Sequence, residues 1–334
     1  MFLTFLLVIT TIFQSCIFMA SRTWKNDSID KNIKKDVEAL NKKLIKCITT
    51  KDVTGLNNLL SPGLLAEGGK KLDSLIVRNS DNDLKKIKFK TLDEFYTKNV
   101  NEDGISTMSG GIGDENDYVV SYKALNKETF VTIIIAQSMP SDVMIFAEYG
   151  KYKTGWQLNV LLFGQYKLLN KTASQYYDVA KQVYEKENRI DASLSMITAS
   201  EIGQPAGDFL RYKNYDEMKT FYKKVINETN LKYHFPVTVP QIETLPQIFT
   251  VRPQIIVDGA VNAIVPVVEY KTSISLTDTI KLKSENSAMQ KLIGNIFNSG
   301  FTANKKTILY RAYSEIPDST NNFVEHYGFV QHLK

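Results

Sequence analysis

Residues 128–162 read ETFVTIIIAQSMPSDVMIFAEYGKYKTGWQLNVLL. β-Branched and aromatic residues fill Phe130 to Ile135, Ser138-Met139-Pro140-Ser141-Asp142 interrupts them, and an apolar run resumes from Val143 to Tyr149. Lys153-Thr154-Gly155 is a second turn signal, after which Trp156, Leu158, Val160 and Leu162 recur at every other position. That period is strand behaviour, because successive side chains of a strand point to opposite faces. Connections this short join antiparallel neighbours. Upstream, Tyr118, Val120, Tyr122 and Ala124 alternate with Val119, Ser121 and Lys123, which predicts another strand of the same meander.

Before the strands, Ile33, Val37, Leu40, Leu44, Cys47 and Ile48 mark one face of an amphipathic helix. A second helical segment, Val53 to Leu60, stops at the turn signal Ser61-Pro62-Gly63. Helices followed by a meander ending in Gly155-Trp156-Gln157-Leu158 resemble the nuclear-transport-factor-like fold. The resemblance covers residues 31–166 and implies a bent sheet wrapped around a long helix as a cone. It implies no single function, since that fold hosts enzymes, carriers and structural modules. Active members line the cone with carboxylates, histidines or tyrosines. This stretch has no histidine, and Tyr118, Tyr122 and Glu148, with Asp117, are the polar groups that such a cavity could use. A carboxylate enclosed there rises in pKa and can serve as a general base. In the competing reading Glu148 points outward and the tyrosines fill the core.

Residues 167–230 switch to helical spacing. Tyr176, Val179, Ala180 and Val183, followed by Ala192, Met196 and Ala199, resemble a tetratricopeptide hairpin, a common interaction unit. One such hairpin cannot bury its own apolar face, so it is expected to pack on a neighbouring domain. Tyr215, Met218, Phe221, Tyr222, Val225 and Ile226 make a third helical stripe. Pro236, Pro240 and Pro246 suggest an extended linker or edge segment. A C-terminal α+β domain, residues 231–334, completes the chain. Asp258-Gly259 signals a hairpin, Ile274, Leu276, Ile280 and Leu282 alternate, Met289 to Phe297 is helical, and Thr307 to Tyr313 is a strand. The whole is an α+β protein.

The first twenty residues carry no charged side chain. Phe2 to Phe13 has the length of a signal-peptide apolar core. With Ser15 before Cys16, residues 1–15 resemble a bacterial lipoprotein signal of the Bacteroides and Flavobacterium type. The resemblance implies cleavage before Cys16, acylation of its thiol, a tether over residues 16–30, and a cell-envelope location. The partners so implied are the membrane, through the lipid, and an envelope protein. Two other readings stand beside it: a spanning helix over residues 1–20 held by Arg22, Lys25, Lys31, Lys34 and Lys35, or ordinary secretion with cleavage near Ala20. Cys47, the other cysteine, reads as a small buried hydrophobe.

Composition excludes several classes. The net charge of +5 is spread over lysines interleaved with acids, unlike the concentrated face of a nucleic-acid binder. The one basic run, Lys85 to Lys90, reads as a strand with Lys86, Lys88 and Lys90 on a solvated face. Gly110-Gly111-Ile112-Gly113 is followed by Asp114-Glu115 rather than by the Lys-Ser/Thr pair of a phosphate loop. Ser28 to Lys31 matches SxxK by letters alone, without its partner motifs. His326 and His332 on one strand would share a face about 20 Å apart, too far for a common metal. Asn26, Asn170 and Asn227 head glycosylation triplets that matter only behind a eukaryotic secretion signal. No cofactor, metal or catalytic set is expected from these residues.

Overall fold

A strand that is apolar at both parities has to be covered on both faces, and the stretch 128–162 supplies such strands. The computed structural model describes residues 21–78, 87–138, 140–258, 261–297, 299–303, 305–321 and 323–333. In it β5 (Glu128–Gln137), β6 (Val143–Tyr152) and β7 (Gly155–Gln165) form an antiparallel meander. β2 (Lys88–Lys98) pairs with β5, and β1 (Arg22–Lys25) pairs with β2, giving the order β1-β2-β5-β6-β7. Phe130, Ile134, Ala147, Tyr149 and Leu158 face a layer of helices, whereas Val131, Ile133, Met144 and Phe146 face a second sheet.

The helical layer begins with α1 (Lys31–Thr50), capped by the Asp30 carboxylate, which accepts from the Asn32 and Ile33 N–H groups. Its buried face is Val37, Asn41, Leu44 and Cys47. Asn41 is tolerated there because its amide donates to Thr132 Oγ1 (3.1 Å) and accepts from the Tyr149 hydroxyl (2.8 Å). α2 (Val53–Asn57) and α3 (Pro62–Arg78) follow. Ser61-Pro62-Gly63, expected to end a helix, instead starts α3. Ser61 Oγ accepts from the Leu64 N–H, and Pro62 occupies the first helical position, where an N–H is not needed.

The second sheet corrects the expected meander. β3 (Ile105–Gly110) and β4 (Tyr118–Lys123) pair with each other, and β4 also pairs with β8 (Leu210–Tyr212). Met108, Tyr118, Val120, Tyr122 and Leu210 thereby cover the second face of the first sheet. β4 alternates as predicted, but its apolar face is needed as a lid over β5 and β6, not as a further strand beside them. The expected tether is corrected in the same way, because β1 and the 3-10 turn Asn26–Ser28 within it belong to the first unit. Cys16 and the signal residues lie outside the described residues, as do Lys85 and Lys86. Lys88 and Lys90 are exposed, and Ile87 and Phe89 half-buried.

α4 (Ala173–Glu185) and α5 (Arg189–Glu201) form a hairpin, on which α6 (Tyr215–Tyr233) packs. Tyr176, Ala180, Ala192, Met196, Met218 and Val225 make their shared core. Ile190 and Leu194 of α5 enter the core of the C-terminal sheet, so the hairpin does pack on its neighbour. That sheet has the order β13-β12-β11-β10-β9, with β9 (Val237–Thr238), β10 (Gln247–Asp258), β11 (Val261–Lys271), β12 (Thr307–Tyr313) and β13 (His326–His332). β11 and β12 are parallel, joined across α7 (Thr279–Ile296). Pro253 and Pro266 face each other in the β10–β11 pair, beyond the stretches of both strands that have outer neighbours, so neither missing N–H breaks a ladder. The alternating series Ile274 to Leu282 is not a strand. Asp278 caps α7 there, Ile280 is 81% exposed and Leu282 is buried.

One carboxylate holds the N-terminal segment to both sheets. Asp93 sits at the β2 bulge and accepts from Lys25 Nζ (3.0 Å), Asn26 Nδ2 (2.8 Å), the Gly111 N–H (3.2 Å) and the Tyr118 hydroxyl (2.5 Å). Burial works against its charge, but the bonds from Tyr118, Asn26, Lys25 and Gly111 outweigh it and hold the carboxyl below the usual range. Asp93→Ala leaves those donors without their acceptor and should cost about 3 kcal/mol, against about 1 kcal/mol for Tyr118→Phe. Urea unfolding measures both, and an unchanged midpoint for Asp93→Ala would show that this latch holds nothing.

Candidate functional site

Two places in the first unit concern function, on opposite faces of one sheet. The first is a cup at the end of the helix–sheet core. Phe89, Ala136 and Val143 are direct neighbours across β2, β5 and β6, and Ile145 and Phe163 form the next row across β6 and β7. Ile48 near the end of α1 and Leu75 of α3 close the sides. The cup has a volume of ≈ 340 Å³, within the roughly 300–1,000 Å³ range of small-molecule sites. Ala136 and Ile145 are buried at its floor, while Leu75 is 43% exposed at its lip. Ser138 and Ser141 supply its hydroxyls, and among the described residues no ionisable side chain lines it. Deeper toward the other end, Tyr96, Phe130, Tyr149, Trp156 and Leu158 fill the space beneath α1.

The predicted polar residues do not line this cup. Tyr118 is buried in the Asp93 latch. Asp117 ties the β3–β4 turn to the chain after β8, accepting from the Gly113 N–H (2.8 Å) and from Lys213 Nζ (2.7 Å). Tyr122 and Glu148 do come together, but on the second face, sealed between the two sheets. Glu148 is 1% exposed, and neither carboxyl oxygen has a well-formed hydrogen bond. Around it run polar groups that satisfy one another: Ser106 Oγ donates to Asn99 Oδ1 (2.8 Å), Asn99 Nδ2 to Thr129 Oγ1 (2.9 Å), and Asn159 Nδ2 to Asn126 Oδ1 (2.8 Å). The Tyr122 hydroxyl also lacks a well-formed partner. Gly150 makes room for this cluster, since a Cβ there would collide with Asn126 and Asn159.

Chemically the chamber encloses polar groups buried between the two sheets. Burial pushes the Glu148 carboxyl up to about 8, opposed only by the Asn159 amide, so it is mainly protonated at neutral pH. Burial likewise raises the Tyr122 hydroxyl, helped by the nearby Glu148. A general base must reach its substrate, and these groups lie between two packed sheets. His326 and His332 occupy opposite ends of β13, with His326 against the Tyr313 ring and His332 opposite Thr307. Among the described residues no group of three or more His, Cys, Asp or Glu is placed to hold a metal ion. No protein-family model matches the chain, and no curated protein or solved structure matches it either.

The Glu148 shift has a signed consequence. Its native pKa lies above the ordinary 4.5, so between about 4.5 and 8 the folded state binds the extra proton. Stability from this group is complete below 4.5 and falls as pH rises, by about 1.4 kcal/mol per unit, until it levels off above 8. Compared with Glu148→Gln, the wild type should therefore lose stability steadily from pH 5 to pH 8 in urea titrations. Parallel pH profiles for the two proteins would mean that the carboxyl is not held in its neutral form.

Proposed function

We propose that this chain is a cell-envelope lipoprotein with a non-enzymatic binding role, and that the cup takes up a small neutral apolar molecule. The observation that carries the proposal is the lining: apolar side chains from α1, α3 and four strands, with two serine hydroxyls and, among the described residues, no acid or base. Catalysis by proton transfer needs a titratable group in reach, and binding of an apolar body needs none. The order of helices and strands in residues 31–166, which resembles the nuclear-transport-factor-like fold, agrees with such a role without requiring it. A small-molecule enzyme acting through Tyr122 and Glu148 is the weaker reading, because both are buried away from the cup.

The path of the chain supports an anchor that leaves the cup free. Arg22 pairs with Lys98, whereas the cup lies at the Phe89 end of β2, about 30 Å away at 3.3 Å per residue. From Cys16 to Arg22 the chain spans about 20 Å at full extension. A lipid on Cys16 would then attach nearer the Lys98 end of β2 than the cup, at a reach shorter than the distance to the cup. No helix among the described residues is long and apolar enough to cross a membrane.

Two measurements test the two halves of this proposal. Titration of the full chain with the neutral fluorophore N-phenyl-1-naphthylamine should saturate, and Val143→Phe, which fills the cup, should weaken binding at least tenfold. Binding that Val143→Phe leaves untouched would remove the cup as the site. Metabolic labelling with an alkyne fatty acid should mark the wild type and not Cys16→Ser. Equal labelling of both, or of neither, would end the lipoprotein assignment.

A further inference from the structure

A second site lies in the helical segment, remote from the cup and different in character. The end of α5 and one face of α6 enclose a pocket of ≈ 240 Å³, a volume that liquid water would fill with about eight molecules. Tyr215, Met218, Lys219, Tyr222 and Lys223 recur on α6 at the spacing of a single helix face. Met196 of α5, Met218 and Tyr222 give the pocket an adaptable apolar wall. Lys219 and Lys223 stand one turn apart at its rim, both exposed, and neither has an ion-pair partner among the described residues. Among the described residues no carboxylate lines the pocket. The last carbonyls of α5 bring a partial negative charge of about half a unit, but the start of α6 brings the opposite partial charge, so the two full lysine charges set the sign.

We propose that this pocket binds a small organic monoanion: a carboxylate held by Lys219 and Lys223, with an apolar body of about eight carbons between Met196, Met218 and Tyr222. The paired lysines select the charge and the thioether–aromatic wall selects the body. A neutral or cationic molecule of the same shape leaves both ammonium groups without a counter-charge. The site is independent of the cup, whose lining holds no cation.

Calorimetric titration of the full chain with octanoate, octan-1-ol and octylamine tests this. Octanoate should bind saturably and at least tenfold more tightly than either of the others. The double variant Lys219→Gln, Lys223→Gln should lose at least tenfold in octanoate affinity. Ser200→Trp, placed on the exposed side of α5 to fill the pocket, should abolish binding, and Val143→Phe in the cup should leave it unchanged. Both lysines and Ser200 are exposed, so the helices have no reason to fail to fold. The proposal is overturned by absent saturable binding, by octylamine binding as well as octanoate, by an unaffected double glutamine variant, or by loss of octanoate binding in Val143→Phe.

Discussion

The first unit is organised by one constraint: the sheet β2-β5-β6-β7 is a wall between two cores. Every described side chain from Thr129 to Ala136 is buried or nearly so, whichever face it takes. Burial of a large aliphatic or aromatic side chain contributes about 1.5–3 kcal/mol, and here both parities of a strand contribute. Such a wall has to be covered twice. The helices α1 to α3 cover one face, and β3, β4 and β8 cover the other. This explains why β8, only three residues long, crosses back from the helical segment, and why Phe209 and Leu210 join the core of the first unit. The units are separate in sequence yet share cores in space.

Covering both faces also traps polar side chains. The fold resolves each one differently. Asn41, Thr132 and Tyr149 satisfy one another in a chain of hydrogen bonds across the helical interface. Glu94 is paired with Lys34 at 3.2 Å. Burial raises its carboxyl, and the Lys34 ammonium pulls in the other direction. Asp93 is saturated with donors. Glu148 has no well-formed partner at either carboxyl oxygen, and protonation is the cheapest way to keep it there, since an unpaired buried charge costs far more than a neutral acid. Conversion of Glu148 to its neutral form therefore follows from the packing of two sheets, without any role in chemistry being needed to explain it.

The residues foretold much of this architecture and misled where a local signal had two meanings. Helical stripes placed α1, α4, α5 and α6, alternation placed β4 and β7, and apolar runs between turn signals placed β5 and β6, whereas the alternation of Ile274 to Leu282 led to no strand. What alternation cannot say is which sheet a strand joins, and so β4 was assigned to the wrong neighbour. Ser61-Pro62 serves as a helix start as readily as a stop, and the glycines of α3 hid the helix behind it. The burial of Glu148 had a signal in Val143 to Tyr149, where Met144 and Phe146 share its parity while Ile145, Ala147 and Tyr149 occupy the other. An apolar run of both parities excludes a solvated face. The cup was out of reach, because its lining converges from α1, α3 and four strands and carries no motif.

The cup and the pocket beside α6 both lie where layers end. At the centre of the wall the two cores are filled by Phe130, Tyr149, Phe146 and their neighbours. At the Phe89 edge β2 has no outer partner among the described residues, since β1 pairs only with Phe95 to Lys98. There the apolar rows of β2, β5, β6 and β7 line the cup. The pocket between α5 and α6 opens past the last turn of α5, where Gly203 and Gln204 replace helix. Closure of either opening would bury more apolar surface. A protein selected only to fold would gain from that closure, by about 25 cal/mol for each Å² of apolar surface covered. Those two apolar hollows, one lined among the described residues without charge and one with two cations at its rim that have no ion-pair partner among the described residues, are what the proposed binding role rests on.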